Sequence, residues 1–371
     1  MLGPLAGLRV IEVTNLAPVP FGCMVLADLG AQVVRIDRPK RAGPTLQPPP
    51  GPLDRGKYVL SLDIKAVEGK ERLLAIAEHA DVFVEGFRPG VAERFGIGPA
   101  DVQSRNPGII YGRMTGWGQQ GPLAHIAGHD INYIAVAGAL DLIGRPGQSP
   151  VPPGNLLGDV AGGGMLLALG ILAALHERHT SGHGQVVDAA MVDGAALYTA
   201  FMHGMHAAGL WNGPRGHNVV DGAAPFYDSY QCADGAYIAV GCFEPQLSRE
   251  LLEKLDIDHA AVPAQMDRAG WPMLRQALGE RFKQRSRDEW ARFFADSDAC
   301  VTPVLSPWEA HNHPHHRSRK SFIEVAGLVQ PAPAPRFERT PPPTPGPPVD
   351  SRASVEELLS SWGVPDASAA V

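Results

Sequence analysis

At 371 residues, with 44% hydrophobic and 19% charged residues, the chain has the make-up of an ordinary globular protein. It is long enough for one large domain and a smaller one. A net charge of −7 argues against nucleic acid or an acidic membrane surface as the main partner, while leaving room for an anionic small molecule at a local basic cluster. Four cysteines (Cys23, Cys232, Cys242, Cys300) form no C-x-x-C pair and read as reduced, buried thiols. No signal peptide, no unbroken apolar run of about 18 residues and no S-K-L ending after Ala369 is present, so cytoplasm is the expected location.

In chain order, LRVIEV (8–13) reads as a buried strand, VPFGCMVLADLG (19–30) as a helix closed by Gly30, and QVVRID (32–37) as the next strand. YVLSLD (58–63), a helix over about 66–79, DVFVEG (81–86) and GIIYGRM (108–114) continue the alternation. Such alternation predicts a parallel sheet flanked by helices, an α/β fold. The run from Leu156 to His179 predicts one long buried helix, whose glycine triplet permits close backbone packing. After about residue 187 the character changes. FYDSYQC (226–232) and AYIAVGC (236–242) flank Ala233-Asp234-Gly235, a strong hairpin signal, and helical stretches follow to about 297. From 331 to 349 proline dominates, which predicts an extended strap.

Several chemistries fail on the residues. Asp37 ends the second strand where a ribose-binding carboxylate would stand, but the turn NLAPVPFG carries prolines in place of G-x-G-x-x-G. HNHPHH (His311, His313, His315, His316) has zinc-like spacing without a cysteine or carboxylate to close the set, so a solvated loop is expected and no metal site is assigned. No G-x-S-x-G elbow supports a serine hydrolase.

Three polar groups remain. In GHDINY, His129 and Tyr133 would share a face of a helix that begins after a glycine- and proline-rich approach. The free N–H groups of such a helix start can face an oxyanion. Asp130 as a helix cap and His129 as a satisfied core histidine explain the same letters equally well. In PPGNLLGDVAGGG, Asn155 and Asp159 stand four apart, and a carboxylate entering an apolar helix is costly. Glu244, in GCFEPQ, reads alone as a helix N-terminal residue before Pro245. Together these are the components of a two-base proton-transfer site, with a histidine and a carboxylic acid on opposite faces of one carbon.

"GHDINY", "NLLGDVAGGG", "RGHNVVDGAAPFYDSY", "VGCFEPQ" and "DACVTPV" resemble, in order and spacing, the α-methylacyl-CoA racemases of the family III CoA-transferase superfamily, from about residue 5 to about 325. The resemblance implies that His129 and Asp159 are the two acid/base residues, that Glu244 stands beside the histidine, and that Asp130, Tyr133 and Asn155 line the site. It also implies a CoA-binding set of Arg38, Ser61, Leu62, Asp63, Ile64, Lys65, Arg88, Arg94 and Gly128. Guanidinium and ammonium groups in loops after strands suit a polyphosphate.

The implied fold is a Rossmann-like large domain (1–187, completed by 325–371) and a smaller α+β domain (222–300), joined by linkers 188–221 and 301–324. These form an interlocked homodimer whose site is shared between subunits. The implied activity is cofactor-independent epimerisation of 2-methylacyl-CoA thioesters, CoA being part of the substrate. The alternative is a CoA-transferase with Asp159 as covalent nucleophile. The proline-rich segment is not typical of the family, and without a peroxisomal ending the bile-acid and branched-fatty-acid roles of the animal enzymes are not implied. Met191, Met202 and Met205 fit either an acyl path or ordinary core.

Overall fold

The computed structural model describes residues 3–13, 18–39 and 51–365. Residues 14–17 of the first strand-to-helix turn and the tail from 366, on both of which sequence readings fell, lie outside them. The chain divides into two units: Met1–Ala137, Pro153–Tyr198 and Pro314–Val371 form one, and Gly138–Pro152 with Thr199–His313 the other.

The first unit begins with β1 (Arg9–Val13), α1 (Pro18–Asp28), β2 (Gln32–Asp37), β3 (Lys57–Ser61), α2 (Val67–Ala77) and β4 (Val82–Glu85). It continues through α3 (Val91–Arg94), α4 (Pro99–Arg105), β5 (Ile110–Thr115) and α5 (Asp130–Val136). A π-helix (Leu156–Met165) runs straight into α6 (Leu166–Ser181), followed by β6 (Val186–Ala190) and α7 (Met191–Tyr198). The six strands form one sheet in the order β3-β2-β1-β4-β5-β6, every pair parallel. That is the doubly wound order, with its switch point between β1 and β4.

β-Branched residues alternate their faces along the strands, so each face buries its own core. Ile11, Val34, Phe83 and Tyr111 pack with Leu73, Ile76 and the C-terminal Leu359 and Trp362. Val10, Val33, Val82 and Ile110 pack on the other face with Leu26, Leu167 and Ile171. Lys57 is fully buried and donates to Glu12 Oε2 (2.6 Å) and to the Pro20 carbonyl (2.9 Å), tying β3, β1 and the start of α1 together.

The second unit holds α8 (Ala200–Ala207), β7 (Tyr227–Gln231), β8 (Tyr237–Gly241), α9 (Pro245–Lys254), α10 (Trp271–Phe282), α11 (Arg287–Phe293) and β9 (Val301–Pro303). The Asp-Gly hairpin forms as read: β7 and β8 pair antiparallel, and Gly235 takes φ +81° at the turn. β9 adds to β8, and Phe226, Ile238, Leu278, Phe282 and Trp290 fill the core.

The chain then returns to the first unit with α12 (Pro314–Arg319), β10 (Phe322–Val325), β11 (Leu328–Pro331) and α13 (Arg352–Trp362). The proline-rich segment bends at 334–335 and 338–340 and forms no regular element from 341 to 348. Val349 exchanges backbone hydrogen bonds with Lys57 and Val59 (2.8 Å each), which covers the open edge of β3.

Three expectations are corrected. The helix expected from Leu156 opens as ten π-helical residues, and several of its apolar side chains (Leu156, Met165, Leu169) are exposed rather than buried. By length and composition Leu156–Ser181 is apolar enough to cross a membrane, although its glycines and Leu167, Ala168 and Ile171 pack inside the first unit. Cys300 is exposed at a positive φ just before β9, while the other three cysteines are buried. His311 stands in a 3₁₀ turn and His315 and His316 in α12, where a solvated loop was expected. Among the described residues no group of three or more His, Cys, Asp or Glu is placed to hold a metal ion. The segment 188–221 carries the end of β6 and all of α7 and α8.

Candidate active site

The approach to α5 is shaped by an aromatic ring lying on glycines. A Cβ on Gly116 would fall 2.0 Å from Tyr133 Cζ, and one on Gly128 would fall 2.7 Å from Tyr133 Cε1. The Tyr133 ring meets Trp117 edge-on at 4.8 Å, and its hydroxyl donates to the Gly128 carbonyl. This fixes the backbone on which His129 follows. His129 is extended (φ −132°, ψ 174°) and caps α5 from outside, its N–H donating to Asn132 Oδ1 at 3.0 Å.

Two readings of GHDINY are thereby corrected. His129 precedes the helix, so it does not share a helical face with Tyr133, and Asp130 is the first helical residue rather than the cap. His129 is exposed, which removes the reading as a core histidine.

Asp130 is the buried member, at 3% exposure. Its Oδ2 accepts the backbone N–H of Asp159 at 2.7 Å, one of the N–H groups that a helix start leaves without an internal partner. Gly158 makes room, because a Cβ there would lie 2.5 Å from the same oxygen. On the other side Asn155, in a left-handed conformation (φ 62°), donates from Nδ2 to Asp159 Oδ2 at 2.8 Å. Burial pushes the half-buried Asp159 carboxyl above the ordinary carboxylate range. The Asn155 hydrogen bond opposes that rise, the Asp130 charge adds to it, and the charge of His129 lowers it again. His129 and Asp159, thirty residues apart in sequence, are thus brought into electrostatic reach.

The π-helix that carries Asp159 follows from its glycines. Gly164 lies against the Pro18 carbonyl and Gly22 of α1, and Gly162 against Gly194 of α7. Backbone meets backbone on both sides, and the Tyr198 hydroxyl donates to the Ala161 carbonyl within the widened turns (2.8 Å).

Most residues of the implied CoA set end or follow β2, β3 and β4, at the C-terminal edge of the parallel sheet. Arg38 is exposed directly after β2, and Ser61 ends β3. Leu62 donates its N–H to the Asp37 carbonyl (2.9 Å), and Asp63 Oδ1 accepts from the Lys65 N–H (3.1 Å). The Ile64 side chain is buried in the core, so only its backbone faces outward chemistry. Arg88 follows β4 and Arg94 closes α3; both are exposed, and neither has an ion-pair partner among the described residues. The Arg88 charge is felt at the Tyr133 hydroxyl, whose pKa burial and Asp159 raise. Asp37 is held by Arg35 (2.8 and 2.9 Å), which accounts for it without a ribose.

In the second unit Glu244 is exposed and caps α9 ahead of Pro245, as its sequence context suggested. Met191 belongs to the core of the first unit, while Met202 and Met205 are half-buried on α8.

Sequence reasoning passed over Glu85 and Arg113, a buried ion pair (2.9 Å) between the last residue of β4 and the middle of β5. The signal was present, in a carboxylate ending the apolar strand VFVE and a lone charge inside the strand IYGRMT.

Comparison with known proteins places the chain. The model of CoA-transferase family III matches residues 5–351. The α-methylacyl-CoA racemase of Mus musculus is 46% identical over 91% of this chain and 87% of its own length. The acetyl-CoA:oxalate CoA-transferase of Acetobacter aceti is 30% identical over 89% of this chain and 88% of its own length. The crystal structure of a CAIB/BAIF family protein from Brucella suis superposes with a TM-score of 0.83 at 26% identity, covering 97% of this chain and all of that one. With its sheet order, its motifs and these likenesses in agreement, the chain belongs to CoA-transferase family III.

Proposed function

We propose that this protein is a racemase that interconverts (R)- and (S)-2-methylacyl-CoA thioesters by 1,1-proton transfer, without a cofactor. The observation that carries the reading is the histidine and the carboxyl group brought together through Asp130, with burial raising the Asp159 carboxyl above the ordinary carboxylate range. The degree of identity to a racemase, well above that to a CoA-transferase, supports it.

The chemistry follows from the thioester, whose carbonyl acidifies the α-proton. One of His129 and Asp159 removes that proton and the electron pair moves into the carbonyl, giving an enolate. The conjugate acid of the other residue then delivers a proton to the opposite face. The free N–H groups at the start of α5 stabilise the enolate oxygen. Tyr133 and Asn155 shape the site, the first by fixing Gly128 and the second by holding the Asp159 carboxylate.

In this proposal CoA lies along the C-terminal edge of the sheet. Arg38, Lys65, Arg88 and Arg94 meet its phosphates, and Ser61, Leu62, Asp63, Ile64 and Gly128 supply backbone and small polar contacts. The working form is a homodimer in which Glu244 of one subunit serves the His129 site of the other. The exposed apolar residues Ile131, Val136, Leu156, Met165, Leu169 and Leu197, on adjoining helices of the first unit, support burial against a second copy.

A CoA-transferase is the second reading, favoured by one observation: a half-buried carboxylate steadied by Asn155 is also a competent nucleophile, able to attack the thioester carbonyl of an acyl-CoA and form a mixed anhydride as the C–S bond breaks and CoA leaves as its thiolate. Kinetics of two variants separate the readings. A racemase loses epimerisation in both His129→Gln and Asp159→Asn. A transferase moves CoA between carboxylic acids, loses this in Asp159→Asn, and is little affected by His129→Gln.

A further inference from the structure

Between β4 and β5 lies a charged cluster that the proton transfer does not use. Glu85, the last residue of β4, is 0% exposed, and Arg113 of β5, its partner in register, is 7% exposed. A buried charge is costly unless its hydrogen-bonding capacity is met. Here both ends are met. Glu85 Oε2 accepts the N–H of Phe87 at 2.6 Å, and Oε1 accepts Arg113 Nε at 2.9 Å. The far side of the same guanidinium takes both oxygens of Glu93 on α3, at 2.8 and 3.3 Å.

A single guanidinium therefore ties residue 85 to residue 93. The stretch between them carries Arg88, and Arg94 follows directly. Other contacts hold the same stretch. Phe87 meets Phe95 edge-on at 5.8 Å, and Gly90 turns the chain at φ +77°. Gly98 leaves the Glu93 side chain no rival, since a Cβ there would lie 2.9 Å from Glu93 Cγ. Lys65 Nζ stands 5.9 Å over the Phe95 ring, bringing a third cation to the same edge. Arg88 and Arg94 take no share in this network and have no carboxylate of their own among the described residues.

We propose that Glu85, Arg113 and Glu93 are positioning residues for substrate binding: a buried clamp that holds residues 86–94 in the shape that presents Arg88 and Arg94 to the phosphates of CoA. The proposal rests on the reading of Arg88 and Arg94 as CoA contacts given above.

The clamp is also sensitive to pH. Burial pushes the Glu85 carboxyl up to about 7; the Phe87 N–H and Arg113 oppose the rise and Glu93 adds to it. The titratable and charged groups facing Glu85 are Arg113 and Tyr111 of β5 and Glu93 of α3, and the Tyr111 hydroxyl is engaged with the Ile97 carbonyl at 2.8 Å. Ionised above that value, Glu85 holds Arg113 fully; protonated below it, the charge-assisted half of the clamp is lost. Because the folded-state value is raised, acid favours the folded chain at this group even as it slackens the loop. Weakened binding near pH 6 is thereby separable from acid unfolding.

The experiment is calorimetric titration of free coenzyme A into the full-length protein between pH 6 and 8.5, with epimerisation kinetics alongside. Wild type binds more tightly as pH rises through 7. Glu85→Gln, which mimics the protonated clamp, binds CoA about 10-fold more weakly at pH 8, the size of one lost charge-assisted hydrogen bond. It keeps only the pH dependence of CoA's own phosphate, and it raises KM with little change in kcat. Glu93→Gln, at the more exposed end, shows a smaller loss in the same direction and serves if Glu85→Gln does not fold. Normal CoA affinity in the folded Glu85→Gln variant at pH 8, with weak binding by Arg88→Ala, would overturn the clamp and leave the CoA reading standing. Normal affinity in Arg88→Ala and Arg94→Ala would overturn both.

Discussion

Asp130 sets the problem at the scale of single residues. Its neighbour His129 is exposed, yet Asp130 itself is buried and commits its carboxylate to the backbone of Asp159. Asp130→Ala therefore frees the π-helix start. It should lower kcat while leaving KM for the acyl-CoA largely unchanged, because a misplaced base loses transition-state contacts first. Asp130→Asn keeps an oxygen acceptor and should rescue most of kcat. It also removes a negative charge that raises the Asp159 pKa, so Asp159 should lose its proton at lower pH. The limb of the pH–rate profile on which Asp159 acts as the acid should then shift downward. A profile that does not move, with kcat lost equally in Asn and Ala, would show that Asp130 only supports the fold.

The proposed roles of His129 and Asp159 allow a sharper test. Asp159→Asn and His129→Gln should each lose net epimerisation by roughly 10²–10⁴-fold, the usual worth of a general acid or base. Each should still exchange the α-proton of the one enantiomer that faces its surviving base. Slow exchange in deuterated water, followed by NMR, should therefore show opposite enantiomer preferences in the two variants. The same preference in both would count against one base per face.

Much of this was legible in the letters, since His129, Asp159 and Asn155 stand out as polar residues in apolar or glycine-rich company. The Asp130–Asp159 hydrogen bond was not, because it spans 29 residues and depends on where each helix begins. The start of α5 was misplaced by one residue, which was enough to put His129 on the wrong side of the cap.

At the scale of elements, strong local signals survived and tertiary ones did not. Asp234-Gly235 demands a tight turn whatever surrounds it, and the hairpin formed where it was read. The apolar run from Leu156 was read as one α-helix, because apolar periodicity does not distinguish 3.6 residues per turn from a wider winding. What widens it is the packing of Gly162 and Gly164 against Gly194 and α1, which no local pattern reveals. These contacts have no slack. A Cβ on Gly194 would stand 2.0 Å from the Gly162 carbonyl oxygen, so Gly194→Ala must push the backbones of α7 and the π-helix apart. It should destabilise the protein by about 1–3 kcal/mol, as overpacking does, and reduce epimerisation by disturbing Asp159. Urea unfolding with an unchanged m-value would measure it. Wild-type stability in this variant would mean that the helices separate freely and do not hold the carboxylate in place.

At the scale of the whole molecule, alternation of strands and helices was enough to expect a parallel sheet, but not its order. Pairing β5 with β6 brings together segments separated by the second unit's first piece and the π-helix, and the sequence carries no local mark of that partnership. From 331 the prolines marked a segment without packed elements, while its destination on the edge of β3 was not legible. Assembly carries its own prediction. If Glu244 serves the site of a second copy, neither His129→Ala nor Glu244→Ala homodimers are active. Co-expressed, the two chains form mixed dimers with one intact site and should regain some of the activity. Heterodimers demonstrated by mass and still inactive would refute a shared site.

The central claim is that one proton leaves the α-carbon and another returns to its opposite face. It is tested most directly by incubating the enzyme with a single enantiomer of a 2-methylacyl-CoA in deuterated water. The mechanism predicts epimerised product carrying deuterium at the α-carbon, and a thioester that stays intact. CoA passing to an added carboxylate, with no deuterium ever appearing at the α-carbon, would contradict it.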